Sequence, residues 1–325
     1  MNEPDLKKTT AANFWKRIFA FGLDFVLIFL VGFLLSIPFE PFFIESGVYG
    51  VLIGISISLI YFSIGNSALT HGQTIGKKVM KIRVTDQDGK PINFSKSLLR
   101  AGVLFIPLLL NGSSFLVLLQ DSWVIYPISM LIFGSIISIV YLYIFNRRTR
   151  QSLHDLVTAT YVVKSDLSEK IEPYLWKGHY IIVGVFILLS LSIPIYVHNI
   201  SQENVFSDLT AIQETINRTT NSKLTGVMVG SSFQKGANGE TVSREYARVT
   251  LWLPEADINN PDLAKEIVLR IIEEYAALRN KDVIRVTLRH GYHIGIWSRW
   301  QTASFDFIPS ELMTADDPEN LELDT

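Results

Sequence analysis

The sequence contains no cysteine among its 325 residues. The chain therefore has no disulfide, no thiolate metal site and no cysteine nucleophile, and cysteine usage gives no information about its redox compartment. Charged residues are also scarce, at 18% of the chain against about 25% in a typical soluble protein. Hydrophobic residues make up 48%, and the mean hydropathy is +0.28. This composition indicates a membrane protein.

A nucleotide site is also missing. The segment "HGQTIGKKVMKIRV" superficially resembles a phosphate-binding loop, which has the pattern G-x-x-x-x-G-K-[ST]. Only three residues separate Gly72 from Gly76, however, and Lys78 stands where a serine or threonine would hold Mg²⁺. The glycines of this segment therefore need another explanation.

Enzyme motifs are absent as well. The chain has no HExxH or GxSxG motif, and its six histidines are scattered without metal-ligand spacing. Ser152, His154 and Asp155 are too close in sequence to form a relayed catalytic triad. We therefore predict no catalytic residue, no metal, no cofactor and no nucleic-acid partner.

Long apolar runs dominate the first two thirds of the chain. About twenty apolar residues at 1.5 Å each cross the ~30 Å hydrocarbon core of a bilayer. Five runs are candidate spans, at about 18–39, 48–65, 101–119, 123–145 and 179–197. The third is interrupted by Pro107 and by polar residues 111–114, so a re-entrant segment is the alternative to a span. The first is too long for a cleaved signal peptide, and we expect it to be retained.

Basic residues are distributed unevenly between the loops. The segments 1–17, 66–100 and 146–178 carry four, seven and six lysines and arginines, whereas the short loops near 40–45 and 120–121 carry none. Basic loops face the cytoplasm. Five crossings of a bacterial inner membrane from a cytoplasmic N-terminus would then place the chain beyond about residue 198 outside the cytoplasm.

The remainder of the chain is acidic and has no run that is long and apolar enough to span. An amphipathic helix is predicted from the spacing of Val205, Leu209, Ile212 and Ile216. Two strand-like runs joined by Gly and Asn predict a hairpin, and a helix over 261–279 is followed by further strands. These elements predict a small α+β domain over 201–312, followed by an acidic, mobile tail at 313–325.

The basic loops contain elements of their own. "VMKIRVTDQDGKPIN" predicts a short β-hairpin, with Lys77, Lys78 and Lys81 near the lipid headgroups. Ser95 can cap the helix that carries Arg100, and "TATYVV" is a third strand-like stretch. The predicted fold is an α-helical membrane bundle of about five transmembrane helices with a small cytoplasmic β-hairpin, plus a C-terminal soluble α+β domain. The membrane domain covers 1–177, and the fifth transmembrane helix covers 178–200.

Three ordered blocks carry a family resemblance. They are "KRIFAFGLDFVLIF", with Arg17 and Asp24, then "GQTIGKKVMKIRVTDQDGKPINFSKSLLR", and "RQSLHDLVTATYVV", with Asp155. Residues 13–164 resemble the RDD family of bacterial integral membrane proteins, named for one arginine and two aspartates. The resemblance implies a compact multi-helix membrane domain, for which transport is the usual suggestion. It also implies that "GQTIGK" marks the exit from the second helix, with its glycines in a tight turn.

Four charged residues form the candidate intramembrane site: Arg17, Asp24, Arg100 and Asp155. Asp24 lies two turns past Arg17, and an ionisable group at that depth is costly unless it is paired or faces water. It is either a cation or proton site, or a structural group bound to Arg100 or to a loop arginine. For Asp155 we expect a structural pair with Arg148 or Arg150, and a functional role is the alternative.

Strand alternation in the C-terminal domain places aliphatic residues on one face and arginines and aromatics on the other. The second face carries Arg244, Tyr246, Arg248, Trp252, Arg285 and Arg289. Such a face suits an anionic protein or envelope component. The alternative is an ordinary solvated face on which these arginines pair with Glu245, Asp282 or tail acids.

Two functions follow. The first, favoured by the resemblance, is transport of ions or small solutes in the manner of a cation/proton antiporter, in a homo-oligomer or membrane complex. The second is a membrane scaffold, assembly or sensor subunit whose external domain binds a partner while the lipid-embedded part anchors it. Few polar residues occur in the second, fourth and fifth runs, which weakens the case for transport.

Overall fold

The computed structural model describes residues 11–119, 122–166, 175–201, 216, 224–235 and 241–315. These residues form two compact units. The first comprises the described residues up to Tyr196 together with His293–Ser298, and the second comprises the others.

Helix α1 spans Phe14–Ser46 and is longer than the predicted run of 18–39. Its N-cap is Asn13, whose side chain accepts a hydrogen bond from the Trp15 N–H at 3.3 Å. Between Pro38 and Pro41, Phe39 has non-helical angles of φ −114° and ψ 16°. Proline lacks an N–H and clashes with the preceding turn, and here it kinks the helix without ending it.

Helix α2, Gly50–Gly65, follows a single 3₁₀ turn at Gly47–Tyr49. A second 3₁₀ turn, Ala68–Thr70, leads into the short helix α3, Ile75–Val79. The side chain of Thr74 caps α3 by accepting from the Lys77 N–H at 3.3 Å. The "GQTIGKK" segment therefore contains a capped helix start in addition to a turn.

Strand β1, Ile82–Thr85, pairs antiparallel with strand β2, Tyr161–Lys164. Strand β1 therefore does not pair in the local hairpin that was expected. The DQDG turn does form, and the Asp86 side chain accepts from the N–H groups of Asp88 and Lys90 at 2.9 Å. Burial explains the long-range pairing, because the inward side chains of β1 pack in one cluster with Val162 on β2. The strand-like "TATYVV" stretch supplies β2.

Helix α4 spans Phe94–Leu110. Its cap is Asn93, which accepts from the Lys96 N–H at 2.8 Å, and not the expected Ser95, which lies inside the helix. The helix ends well before residue 119, and the chain continues through a turn into a 3₁₀ segment at Ser114–Leu119. The polar residues after Leu110 therefore interrupt the predicted third span.

The rest of the first unit is largely helical. Residues 125–145 form one continuous helical stretch that contains a single π turn, Met130–Gly134. The helices that follow α4 are α5 Ile125–Ser129, α6 Ser135–Phe145, α7 Leu153–Val157, α8 Lys177–Leu189 and α9 Ser192–Ser201.

Three helical stretches among the described residues are long and apolar enough to cross a membrane: Phe14–Gly65, Ile125–Phe145 and Lys177–Asn199. The first contains both α1 and α2. Large apolar side chains on these helices are exposed, with Ile37 at 69% and Ile181 at 69%. A dense apolar surface of this kind is suited to lipid and not to water. The number of crossings remains a prediction.

The second unit contains a four-stranded sheet in the order β3–β4–β5–β6. Strands β3 and β4 form the predicted antiparallel hairpin, and β4 and β5 are parallel. The strands are β3 Leu224–Lys235, β4 Thr241–Trp252, β5 Val283–His293 and β6 Ser298–Phe307. The parallel pair requires a crossover, and helix α10, Pro261–Glu274, lies in that connection.

Helix α10 packs in one core cluster with the aliphatic face of this sheet, the face that strand alternation separates from the arginines. It begins at the cap Asn260, which accepts from the Leu263 N–H at 2.9 Å, and has proline at its first position. The core residues of β4 and β5 are fully buried against it: Ala247, Val249, Leu251, Ile284, Val286 and Leu288. The predicted helix over 261–279 is broken at Tyr275, after which α11 covers Ala276–Arg279.

Two further predictions fall largely outside the described residues. The expected amphipathic helix carries Val205, Leu209, Ile212 and Ile216. Of these four residues only Ile216 is described, and it is buried in the core of the second unit. The expected tail begins within helix α12, Pro309–Ala315, and its later residues also lie outside the described part.

Candidate functional site

A buried carboxylate, Asp155, joins two arginines in the first unit. Nη2 of Arg17 lies 2.6 Å from Oδ2 of Asp155, and Nη2 and Nε of Arg100 donate to Oδ1 at 2.7 and 3.1 Å. The side chains of Arg17, Arg100 and Asp155 are 7%, 5% and 0% exposed. The sequence suggested Arg148 or Arg150 as the partner of Asp155, but the structure places Arg17 and Arg100 on it. Arg150 contributes its backbone carbonyl, which accepts from Nη1 of Arg17.

The local backbone fixes the position of the Asp155 carboxylate. It is the third residue of α7, where it forms a capping box by accepting from the Ser152 N–H at 3.2 Å. Thr160 donates its hydroxyl to Oδ1 at 3.3 Å. Burial alone would raise the pKa of Asp155, but Arg100, His154 and Arg17 outweigh burial and hold that pKa well below its usual range. Asp155 is therefore ionised at any physiological pH.

His154 is buried beside this ion pair. Its Nε2 lies 3.6 Å from Oδ2 of Asp155, and its Nδ1 has no hydrogen-bond partner among the described residues. Burial lowers the pKa of His154 to about 3, and Arg100 and Arg17 act in the same direction against the opposing charge of Asp155. The imidazole is neutral at physiological pH.

Asp24 is fully buried and separate from the arginines. Its carboxylate accepts from the Tyr61 hydroxyl at 2.7 Å, the Thr74 hydroxyl at 2.5 Å and the Gly76 N–H at 2.7 Å. All three donors are neutral. Asp24 thus holds the start of α3 against α1. These hydrogen bonds favour a structural role for Asp24 over a cation or proton site.

Gly76 makes this contact possible. A Cβ on Gly76 would lie 2.1 Å from the carbonyl oxygen of Ala20 and 2.9 Å from Cγ of Asp24. Only glycine allows α3 to approach α1 so closely. Gly72 has φ +76° and faces the carbonyl of Val84, so it does provide the tight turn that the resemblance implied.

Lys77 was expected near lipid headgroups, and the structure places it at the site. Its Nζ lies 3.4 Å from the Thr74 hydroxyl and 5.7 Å from the ring centre of Phe62. Burial lowers the pKa of Lys77 to about 7, helped by Arg100 and partly opposed by Asp24. Thr74 therefore links Lys77 to Asp24.

A cavity of about 380 Å³ lies beside these groups. Its polar lining includes Arg17, Lys77, Arg100 and His154, and no acidic residue lines it. The other lining residues are mostly aromatic and aliphatic side chains of α1, α2, α4 and α6. The arrangement can attract and bind an anion.

Sequence reasoning assigned no role at this site to Tyr61, Thr74 or Thr160. Tyr61 stood out only as one hydroxyl in an apolar run, and Thr160 only as part of a strand-like stretch. Thr74 carried a usable signal, because a threonine just before "IGKK" is a typical helix N-cap.

Only part of the predicted arginine- and aromatic-rich face of the second unit is exposed to a partner. Trp252 was expected on that face, but it is 5% exposed and donates its indole N–H to the Gly291 carbonyl at 2.7 Å. Arg248 is exposed and lies opposite Arg285 in the parallel register. Arg285 forms two hydrogen bonds of 2.6 Å with Asp306.

The other members of this face differ in their surroundings. Arg289 lies over the ring of Trp300 at 4.3 Å, and Tyr246 is half-buried. Arg244 is in β4, but its side chain lies outside the described residues. Glu245, named as a possible partner of these arginines, instead binds Lys281 at 2.7 Å.

Residues 11–159 match the RDD family. This range contains Arg17, Asp24, Arg100 and Asp155 and all the groups that line the polar end of the cavity. The second unit lies outside it. No curated protein and no solved structure matches the chain. Among the described residues, no group of three or more His, Asp or Glu side chains could hold a metal ion.

Proposed function

Given that residues 11–159 form a domain of the RDD family, we propose that the protein is a membrane transporter whose substrate is an anion. One observation carries the proposal: three basic side chains and no acidic one line the cavity. Buried ionisable groups in a membrane domain mark substrate and ion pathways. The carboxylate of Asp155 orients Arg17 and Arg100 without entering the cavity lining.

Cation or proton exchange at Asp24 has weaker support. The carboxylate already accepts three hydrogen bonds, and Asp24 does not line the cavity. A cation would have to displace these donors at the cost of leaving them unsatisfied. Asp24 therefore serves to position α3, and with it Lys77.

Flux measurements test this proposal. Proteoliposomes containing the purified protein would be assayed for entry of acetate, phosphate and hexyl phosphate. We expect entry of at least one anion, and we expect Lys77→Gln to reduce it by about tenfold if the lysine contributes one charge-assisted hydrogen bond. Lys78→Gln is the matched control, because Lys78 is the exposed neighbour. Absence of flux for all three anions, or equal flux in Lys77→Gln, contradicts the proposal.

A second function, partner binding by the C-terminal unit, is favoured by the adjacency of exposed Arg248 and Arg285. The proposed partner is an anionic protein or envelope component outside the cytoplasm. Replacing Arg248, Arg285 and Arg289 together by serine should leave the unit folded and remove specific crosslinked partners from intact cells. An unchanged set of partners would identify an ordinary solvated face, on which Asp306 satisfies Arg285.

A further inference from the structure

The polar groups of the cavity are clustered, and its apolar wall extends away from them. Arg17, Arg100 and His154 all surround Asp155. On α4, Leu104 and Leu108 line the cavity one and two turns beyond Arg100. At 1.5 Å per residue, Leu108 lies about 12 Å along the helix from Arg100. The cavity is therefore basic at one end and apolar along its length.

The size of the cavity exceeds what a small anion needs. Its volume is about 380 Å³, whereas one water molecule takes about 30 Å³ of liquid. An inorganic anion of a few atoms would fill only the basic end. The remaining space has phenylalanine and aliphatic walls, including Phe21 and Phe105, and such walls favour an apolar body over water.

The cavity reaches the exposed surface of the helices. Four lining residues are substantially exposed: Ile18 at 37%, Leu108 at 37%, Val140 at 51% and Ile144 at 48%. They lie on α1, α4 and α6, and α1 and α6 belong to the helical stretches that carry the apolar surface suited to lipid. A molecule that resides in the bilayer could therefore enter between these helices without crossing water.

The basic end keeps binding capacity beyond its internal pairs. Asp155 uses Nε and Nη2 of Arg100, and no hydrogen bond in the described part of the chain uses Nη1 of that residue. Lys77 has no carboxylate within ion-pair distance among the described residues, and it contacts Thr74 and Phe62. The free Nδ1 of His154 can exchange a hydrogen bond with a hydroxyl or protonated oxygen.

From these observations we infer that the cavity binds one amphiphile that has a phosphate-type anionic head and an acyl chain, as an anionic membrane lipid does. The head lies against Arg17, Arg100 and Lys77, and the chain runs along Leu104 and Leu108 towards the lipid-facing surface. The inference rests on the proposed function, since it names the class of anion that the transporter takes.

Binding to the full-length protein in nanodiscs of zwitterionic lipid tests the inference. Three probes would be compared: lysophosphatidic acid, lysophosphatidylcholine with the same acyl chain, and inorganic phosphate. We expect one lysophosphatidic acid to bind saturably, and the choline-headed lipid and phosphate to bind at least about tenfold more weakly, because each lacks one of the two matching parts. Similar affinity for both lysolipids would overturn the anionic head, and phosphate binding as tightly as lysophosphatidic acid would overturn the acyl chain.

Two variants locate the probe. Lys77→Gln should weaken lysophosphatidic acid binding by about tenfold through loss of a charge-assisted hydrogen bond. Leu108→Trp should block the acyl chain and leave phosphate binding unchanged, and Lys78→Gln should behave as wild type. Because Leu108 is partly exposed, the larger side chain need not disrupt the fold, and an unchanged unfolding temperature verifies this. Unaltered binding in both Lys77→Gln and Leu108→Trp would place the lipid elsewhere.

The binding and flux measurements fail independently. Saturable, variant-sensitive binding without flux would overturn the transport proposal and leave the amphiphile site standing. Flux of acetate or phosphate without lysophosphatidic acid binding would do the opposite.

Discussion

Arg17 and Asp155 are 138 residues apart in the sequence, yet their buried side chains lie 2.6 Å apart. Arg100 binds the other oxygen of the same carboxylate. One acid thus joins the first helix, the fourth helix and the end of the range that matches the RDD family. The two arginines depend on it both for their orientation and for their charge balance.

Replacing Asp155 with asparagine should destabilise the first unit strongly. Two buried arginines would lose their counter-charge, and breaking a buried ion pair typically costs about 3–5 kcal/mol. Thermal unfolding of the detergent-solubilised protein measures the effect. Asp166→Asn, an exposed carboxylate just beyond β2, is the matched control and should behave as wild type. Equal unfolding temperatures for Asp155→Asn and wild type would show that the ion pair contributes no net stability.

Asp24 can be probed by two substitutions with different consequences. Asp24→Leu leaves the three donors of Tyr61, Thr74 and Gly76 unsatisfied, at about 1–3 kcal/mol for each donor that stays buried. Asp24→Asn keeps an acceptor and removes the ionisable group. We expect Asn to retain most stability and flux, and Leu to lose both. Loss of flux in a well-folded Asn variant would restore the cation or proton reading of Asp24.

Gly76→Ala should separate α3 from α1. The new methyl would meet the Ala20 carbonyl at 2.1 Å, which forces backbone movement and weakens the Gly76 N–H bond to Asp24. Gly22→Ala in α1 is the control, because nothing lies within 4 Å of the position of its Cβ. It should be neutral or stabilising, since alanine favours a helix by about 1 kcal/mol over glycine. A silent Gly76→Ala would mean that the close approach is not needed.

Acid should destabilise the protein partly through His154. Its pKa falls from 6.5 to about 3 on folding, so the unfolded chain binds more protons between these values. Stability therefore rises with pH across this window and falls as pH drops from about 6.5 towards 3, by at most about 1.4 kcal/mol per pH unit. Asp155, whose pKa is depressed, adds to the loss at the acidic end.

His154→Asn removes the histidine contribution and should flatten the pH dependence of the unfolding temperature between pH 4 and 6.5. His71→Asn is a suitable control, because His71 is exposed and has φ 56°, a conformation that asparagine tolerates. A profile for His154→Asn as steep as that of wild type would assign the acid sensitivity to other groups.

Membrane topology is accessible because the chain has no native cysteine. Asp88→Cys should be protected from an impermeant thiol reagent in intact cells, and Asn238→Cys should be labelled. The expectation follows from the basic residues in the loops, which face the cytoplasm. Labelling at residue 88 and protection at residue 238 would reverse the orientation.

Local patterns predicted part of the secondary structure, and the structure confirms the inward face of the second sheet. Ala247, Val249 and Leu251 alternate with polar residues, and alternation alone identifies the buried side. Helix ends were less predictable. Asn93 and Ser95 are both good caps, and only the structure distinguishes them.

Four charged residues of the site were predictable, but their pairing was not. The family resemblance selected Arg17, Asp24 and Asp155, and the membrane setting selected Arg100. Which arginine meets which carboxylate depends on the pairing of β1 with β2 and on the position of α7, both set by contacts distant in sequence. Lys77 was not assigned to the site, because a lysine beside a span is usually solvated at the headgroups, and nothing local shows that α3 turns it towards the cavity.

The β1–β2 pairing also sets an order of events during synthesis. Arg17, β1 and Arg100 emerge from the ribosome before Asp155 and β2 exist. Until then both arginines lack the carboxylate that neutralises them, and Ile82 lacks the strand that covers it. The ion pairs and the two-stranded sheet can close only after the last of these residues has been made. Arg17, Arg100 and β1 therefore reach their final partners only after more than 150 residues have been made.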